Sequence, residues 1–215
     1  CDKTSGTLKN TSTGASEKMF IPGGVEITFT LVVNANGTLT LSYVAKSKPV
    51  VVPTLTLNYP TLAFEAEILY NAYFTVSDAS SVVEFGMVTF ASRLVDGTIA
   101  DAVDMIPGYA TAGNYHIVSS NGIPAKNLGD ALYFKVYAKL SDGTYAYSDV
   151  AGYNAVAYAN TILNNASSSA KAKALVVAML NYGAAAQTYF DYNTGNLMNA
   201  KLTAAQQALV KAYDE

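Results

Sequence analysis

The stretch ALYFKVYAKLSDGTYAYSD, Ala131 to Asp149, decides how this sequence folds. Apolar and polar residues alternate up to Asp142-Gly143 and again after it, the pattern of two antiparallel strands joined by a tight turn. Read as a two-residue type I′ turn, Asp142-Gly143 puts Ser141 opposite Thr144, Leu140 beside Tyr145 and Ala138 opposite Tyr147. Phe134, Val136, Ala138, Leu140, Tyr145 and Tyr147 then share a core face, and Tyr133, Lys135, Tyr137 and Lys139 share the other.

Upstream the same period recurs. LAFEAEILYNAYFTV (62–76) alternates strictly, with Phe64, Ala66, Ile68, Tyr70, Ala72, Phe74 and Val76 on one side, and reads as one long strand. VVEFGMVTF (82–90) is a second strand whose interior Gly86 marks a bulge or a close backbone approach. Residues 95–127 are loop-rich, with one short strand near Tyr115–Val118. KSKPVVVPT (46–54), with its prolines, reads as an extended connection. VEITFTLVV (25–33) and LTLSYV (39–44) form a hairpin. A three-residue loop, Ala35-Asn36-Gly37, pairs Val33 with Leu39, keeps both apolar faces together and sets Gly37 at the left-handed position.

Downstream of Asp149 the period becomes helical. GYNAVAYANTILNN (152–165) reads as one helix. KAKALVVAMLNYGAAAQTYF (171–190) is a second, capped from Ser167–Ser169, with a stripe of Leu175, Met179, Tyr182 or Gly183, Ala186, and Tyr189 or Phe190. A third begins at Thr203, where Thr-Ala-Ala-Gln matches a capping box. The fold class expected is α+β: an antiparallel, immunoglobulin-like β-sandwich over 54–150, with an N-terminal β-hairpin and linker over 20–53 and a helical subdomain over 151–215. Residues 1–19, rich in Ser, Thr and Gly, read as a flexible tether.

Composition narrows the function. Apolar residues are 51% of the 215, enough for a substantial core, whereas charged residues are 13%, about half the usual share. A net charge of −3 without a basic run argues against nucleic acid. No segment approaches the ~20 apolar residues of a membrane span. Cys1 is the single cysteine, so no internal disulfide is expected. It reads either as a lipid-modified first residue followed by a polar tether, or as the start of a fragment.

Several motifs invite chemistry and receive a plainer reading. In NYGAAAQTYF (181–190), Gly183 costs about 1 kcal/mol in a helix and reads as a packing seam, the alternative being a polar site at Asn181 and Gln187. His116 stands alone, too few for a histidine metal site and without an evident nucleophile or orienting carboxylate. Glu65 and Glu67, with Asp101 or Asp104, are the available carboxylates for glycoside hydrolysis, and read as solvated surface. DYNTGN (191–196) misses the calcium-loop pattern, with its glycine one place early and Leu202 where glutamate belongs. The face of Tyr133, Lys135, Tyr137 and Lys139 is a candidate carbohydrate platform, or else the surface that the C-terminal helices cover.

Taken in order, LAFEAEILYNAYFTV, EFGMVTF, SDGTYAYSD and NYGAAAQTYF resemble a module recurring in large secreted or surface proteins of gut Clostridia-type Firmicutes, over roughly 54–210. FEAEI stands here where that module often has a more acidic FEDEI. The resemblance implies an exported, cell-surface setting in a multi-domain protein, no catalysis, no cofactor, and partners that are other domains or copies of a surface protein. The expected role is structural, adhesive or assembly-related. The alternative is a carbohydrate-binding module with a polysaccharide partner.

Overall fold

A computed structural model of the protein describes residues 3–9, 16–22, 25–47, 49–64 and 67–211. The class is α+β: antiparallel sheets with three α-helices. Strands β1 (Lys3–Lys9) and β2 (Ser16–Pro22) pair with each other, as do β3 (Val25–Val33) and β4 (Leu39–Ser47). Where the Ser/Thr-rich composition predicts a tether, β1 and β2 are thus joined in an unbroken register from Lys3↔Pro22 to Lys9↔Ser16. Backbone pairing needs no apolar alternation, which is why composition missed it. Cys1 lies outside the described residues.

The turn between β3 and β4 is the predicted three-residue loop. Val33 pairs with Leu39, the Asn34 amide donates to the Thr38 carbonyl at 2.8 Å, and Gly37 has φ of +78°.

One larger sheet runs in the order β5 (Leu55–Phe64), β6 (Ile68–Val76), β10 (Tyr115–Ser119), β9 (Ala110–Ala112). The other runs β12 (Tyr145–Tyr147), β11 (Leu132–Leu140), β7 (Val82–Phe90), β8 (Asp104–Pro107), with β13 (Ala151–Tyr153) also on β11. Their inner faces meet. Leu55, Ala72, Phe74 and Val118 from the first share one buried cluster with Phe85, Met87, Phe134 and Val136 from the second.

Two readings of register are corrected. The predicted single strand over 62–76 is divided between two strands of a hairpin: its first three residues end β5 and Ile68–Val76 is β6, with pairing from Phe64↔Ile68 to Leu55↔Val76. No Gly, Pro or Asn marks that reversal, so period alone ran through it, and β5 accommodates Pro60 at the sheet edge. At the deciding hairpin the pairs are Tyr137↔Tyr147, Ala138↔Ala146 and Lys139↔Tyr145, one residue away from the predicted register. The loop is Ser141-Asp142-Gly143, with Leu140 N–H donating to Thr144 O at 2.8 Å and Gly143 at φ +88°. One extra loop residue flips every later side chain. Ala146 therefore enters the core, and Tyr145 and Tyr147 join the face of Tyr137.

The helices are α1 (Ala155–Asn164), α2 (Ala170–Tyr189) and α3 (Ala204–Lys211). Asn154 caps α1, Ser169 caps α2, and Thr203 with Gln206 closes the predicted capping box at α3. Gly152 and Tyr153, read as helical, belong to β13. The helices extend the inner layer. Leu62 of β5 and Tyr70 of β6 leave the inter-sheet core to pack with Ala155 and Ala159 of α1 and Val176, Met179 and Leu180 of α2. On α2 Met179 and Gly183 are buried as predicted, but the buried face is completed by Val176, Leu180 and Gln187, while Leu175, Tyr182 and Tyr189, with Phe190 at the helix end, are exposed.

Candidate functional site

The predicted carbohydrate platform is closed. Tyr137 is 0% exposed and Lys135 5%, while Tyr133 and Lys139 are half-buried. The cover is not the C-terminal helices either. It is the connection from β7 to β8, whose Leu94, Ile99 and Ala102 pack on Val88, Phe90 and Tyr137. Lys135 holds that connection down. Its Nζ donates to the carbonyls of Val95 and, at 3.0 Å, Gly97, and lies 5.8 Å from the centroid of the Tyr147 ring. The Tyr147 hydroxyl accepts from Ile99 N–H at 3.1 Å, and Thr98 and Asp101 close a capping box on the short 3-10 helix Ile99–Asp101. An ammonium satisfied by carbonyls and a ring face is a structural peg, since no polar end is left for a ligand.

Tyr137 is built into the sheet. Its hydroxyl donates to Glu84 Oε1 at 2.7 Å, and burial, followed by that bond, pushes its titration above the ordinary tyrosine range. It sits directly across the ladder from Gly86. Gly86 is therefore the close approach the sequence foresaw, whereas the ladder irregularity falls further along, between Lys139 and Leu140.

The remaining candidates do not converge. Glu65 lies outside the described residues, and exposed Glu67 stands beside Gly122. Asp101 is spent on its cap, and Asp104 accepts from Thr89 Oγ1 at 3.4 Å in the other sheet. His116 lies among Phe74, Phe85 and Tyr109, with ring centroids 4.9–5.3 Å away, and its Nδ1 is buried with no hydrogen-bond partner among the described residues. Asn181 and Gln187 pin neighbouring chain: Asn181 Nδ2 donates to Gln207 Oε1 at 3.0 Å, and Gln187 Oε1 accepts from Met198 N–H at 2.9 Å. Gly183 leaves the room that the Met198 thioether fills, so NYGAAAQTYF is a packing seam. Asp191–Asn196 forms a turn and a short 3-10 helix, and no group of three or more His, Cys, Asp or Glu able to hold a metal occurs among the described residues.

A cavity of about 360 Å³ opens between α1, α2 and the 193–202 segment. Three of its lining amides already have structural work: Asn154 caps α1, Gln187 holds Met198, and Gln206 accepts from Thr203 N–H.

The β3–β4 hairpin carries a surface that no sequence motif marks. Four directly opposed pairs, Ile27↔Ala45, Phe29↔Tyr43, Leu31↔Leu41 and Val33↔Leu39, place only apolar side chains on one face. The other face mixes Thr28, Thr30, Thr40 and Ser42 with Val32 and Val44. Leu31 is 60% exposed and Leu41 53%. The alternation was legible in the sequence, but a hairpin face without a cover among the described residues is visible only in three dimensions.

No protein-family model matches this sequence, and no curated protein matches it. No helix among the described residues is long and apolar enough to cross a membrane.

Proposed function

We propose that this chain is a non-catalytic, extracellular module of a bacterial surface protein or appendage, whose work is structural and assembly-related. The two facing sheets are read as an immunoglobulin-like sandwich, since the chain passes between them at β6–β7, β8–β9 and β10–β11. The low charge and the resemblance to a recurring surface module support the setting.

The observation that carries the assembly role is the apolar face of the β3–β4 hairpin, exposed among the described residues. A lone two-stranded hairpin is marginal in water, and a contiguous exposed apolar patch of this kind is an interaction surface. The partner proposed is the same hairpin of a second copy. An uncharged face of four apolar pairs is complementary to itself, so a two-fold arrangement buries both faces at once.

Sedimentation velocity over a concentration series tests this, with reductant present so that Cys1 cannot link copies. Self-association is expected for the wild type and its loss for Leu31→Thr/Leu41→Thr, which keeps strand propensity and removes the apolar contact. A wild type that stays monomeric at hundreds of micromolar would sink the assembly reading.

A further inference from the structure

We infer that the outer face of the β5-β6-β10-β9 sheet is a binding site for a neutral carbohydrate chain, built around Tyr59, Tyr73 and Tyr115. This goes beyond the assembly role and does not depend on it. Tyr59 and Tyr73 are directly opposed across β5 and β6, with ring centroids 4.7 Å apart and planes within 18°. Tyr115 on β10 stands edge-on to both, at 5.8 Å and 70° from Tyr59 and at 6.2 Å and 76° from Tyr73. None of the three belongs to a buried cluster of the described residues, and Tyr59 is 47% exposed.

The backbone is arranged to present them. Leu57 pairs with Phe74, but Tyr59, not Asn58, pairs with Tyr73, so β5 carries one extra residue there. In an unbroken ladder Tyr59 would oppose Ala72 and enter the core. The bulge at Asn58 turns it to the outside, next to Tyr73, while Leu55 and Leu62 on either side both stay buried. Re-aiming a single side chain is a recurrent use of a bulge beside a binding site.

The chemistry of the face selects the ligand. Ile117 of β10 opposes Tyr73 and completes the row of Tyr59 and Tyr73. Along the strands that row is followed on one side by Thr61, Asn71 and Ser119 and on the other by Thr56 opposite Thr75, where Tyr115 lies one step beyond the His116↔Phe74 pair. Each of these rows lies about 7 Å from the Tyr59–Tyr73 pair, two residues along a strand. Ser119 Oγ donates to Asn71 Oδ1 at 2.7 Å, and the Asn71 Nδ2 donors have no bond among the described residues. A pyranose offers an apolar C–H face to a ring and hydroxyls around its edge, which suits aromatic rings bordered by hydroxyl and amide groups. None of these rows holds a charged residue, so a neutral sugar chain fits better than an acidic one, and nucleic acid lacks the cations it needs. The hydroxyl rows also interrupt the apolar area that a protein partner would desolvate.

Isothermal titration calorimetry of the full chain with cellohexaose, xylohexaose and mannohexaose, and with polygalacturonate as the charged control, tests the site. At least one neutral hexasaccharide is expected to bind. Tyr59→Ser should weaken that binding about tenfold or more, whereas Tyr59→Phe, which keeps the ring, should retain it. Asn71→Ala, away from the rings, serves as the second variant and should also weaken it. Failure of all three neutral sugars to bind overturns the inference. So does binding that survives both Tyr59→Ser and Asn71→Ala, or a preference for polygalacturonate.

Discussion

Tyr137 and Gly86 face each other across the β7–β11 ladder, and the tyrosine hydroxyl lies 2.5 Å from where a Cβ on the glycine would sit. The Ile106 carbonyl crowds the same point. Both neighbours are rigid, one a buried ring and one backbone. Gly86→Ala is therefore expected to cost about 1–3 kcal/mol, the range for overpacking a core, read from the midpoint of urea unfolding.

Gly183 presents the opposite case. An added Cβ there meets the sulfur and terminal methyl of Met198, the free end of a flexible side chain. Helix propensity favours alanine by about 1 kcal/mol, which offsets the displacement of the thioether. Gly183→Ala should change stability by less than about 1 kcal/mol. A loss as large as that of Gly86→Ala would show that Met198 cannot yield.

Lys135 pegs the 91–103 connection onto the sheet through the Val95 and Gly97 carbonyls. Lys135→Met keeps the stem and removes the donor, leaving both carbonyls to find water. A cost of about 2–3 kcal/mol is expected, as for hydrogen bonds to a charged group. Hydrogen exchange should rise first at the Ile99 amide, which the Tyr147 hydroxyl accepts from. Unchanged exchange there would mean that Leu94 and Ile99 hold the connection without the lysine.

His116 has a buried Nδ1 without a partner, surrounded by Phe74, Phe85 and Tyr109. An unsatisfied buried nitrogen is a cost that a phenyl ring does not carry. His116→Phe is expected to leave stability unchanged or raise it by about 1 kcal/mol, measured by thermal unfolding at neutral pH. A clear loss would point to a water or ligand contact at that nitrogen.

Tyr70 and Tyr137 both titrate above the ordinary tyrosine range, chiefly through burial. In the unfolded chain they lose their protons near pH ~10, while in the fold they keep them. Their contribution is thus fully present below pH ~10 and is lost as pH rises above it toward the folded values. Urea unfolding between pH 8 and 11.5 should show stability falling in the upper part of that range. Tyr137→Phe should make the fall shallower, and an identical slope in the variant would contradict this.

The sequence by itself determined the class, the β3–β4 hairpin and the caps of α2 and α3. These are local matters: Gly37 tolerates a positive φ, Val33 and Leu39 match across three loop residues, and Thr203 meets Gln206 one turn away. Only the tertiary structure decided the rest. A single residue more in the loop at Asp142-Gly143 and the bulge at Asn58 each invert which face of a strand looks inward, and one reversal without Gly or Pro before Ile68 divides a continuous alternation into two strands. The candidate site turned on that choice. Tyr133 and Tyr137 had the right pattern and are covered by chain from elsewhere, while Tyr59, Tyr73 and Tyr115 lie on three strands and become neighbours only when those strands pair. Alternation has period two and carries no sign; which side is buried follows from what packs against it.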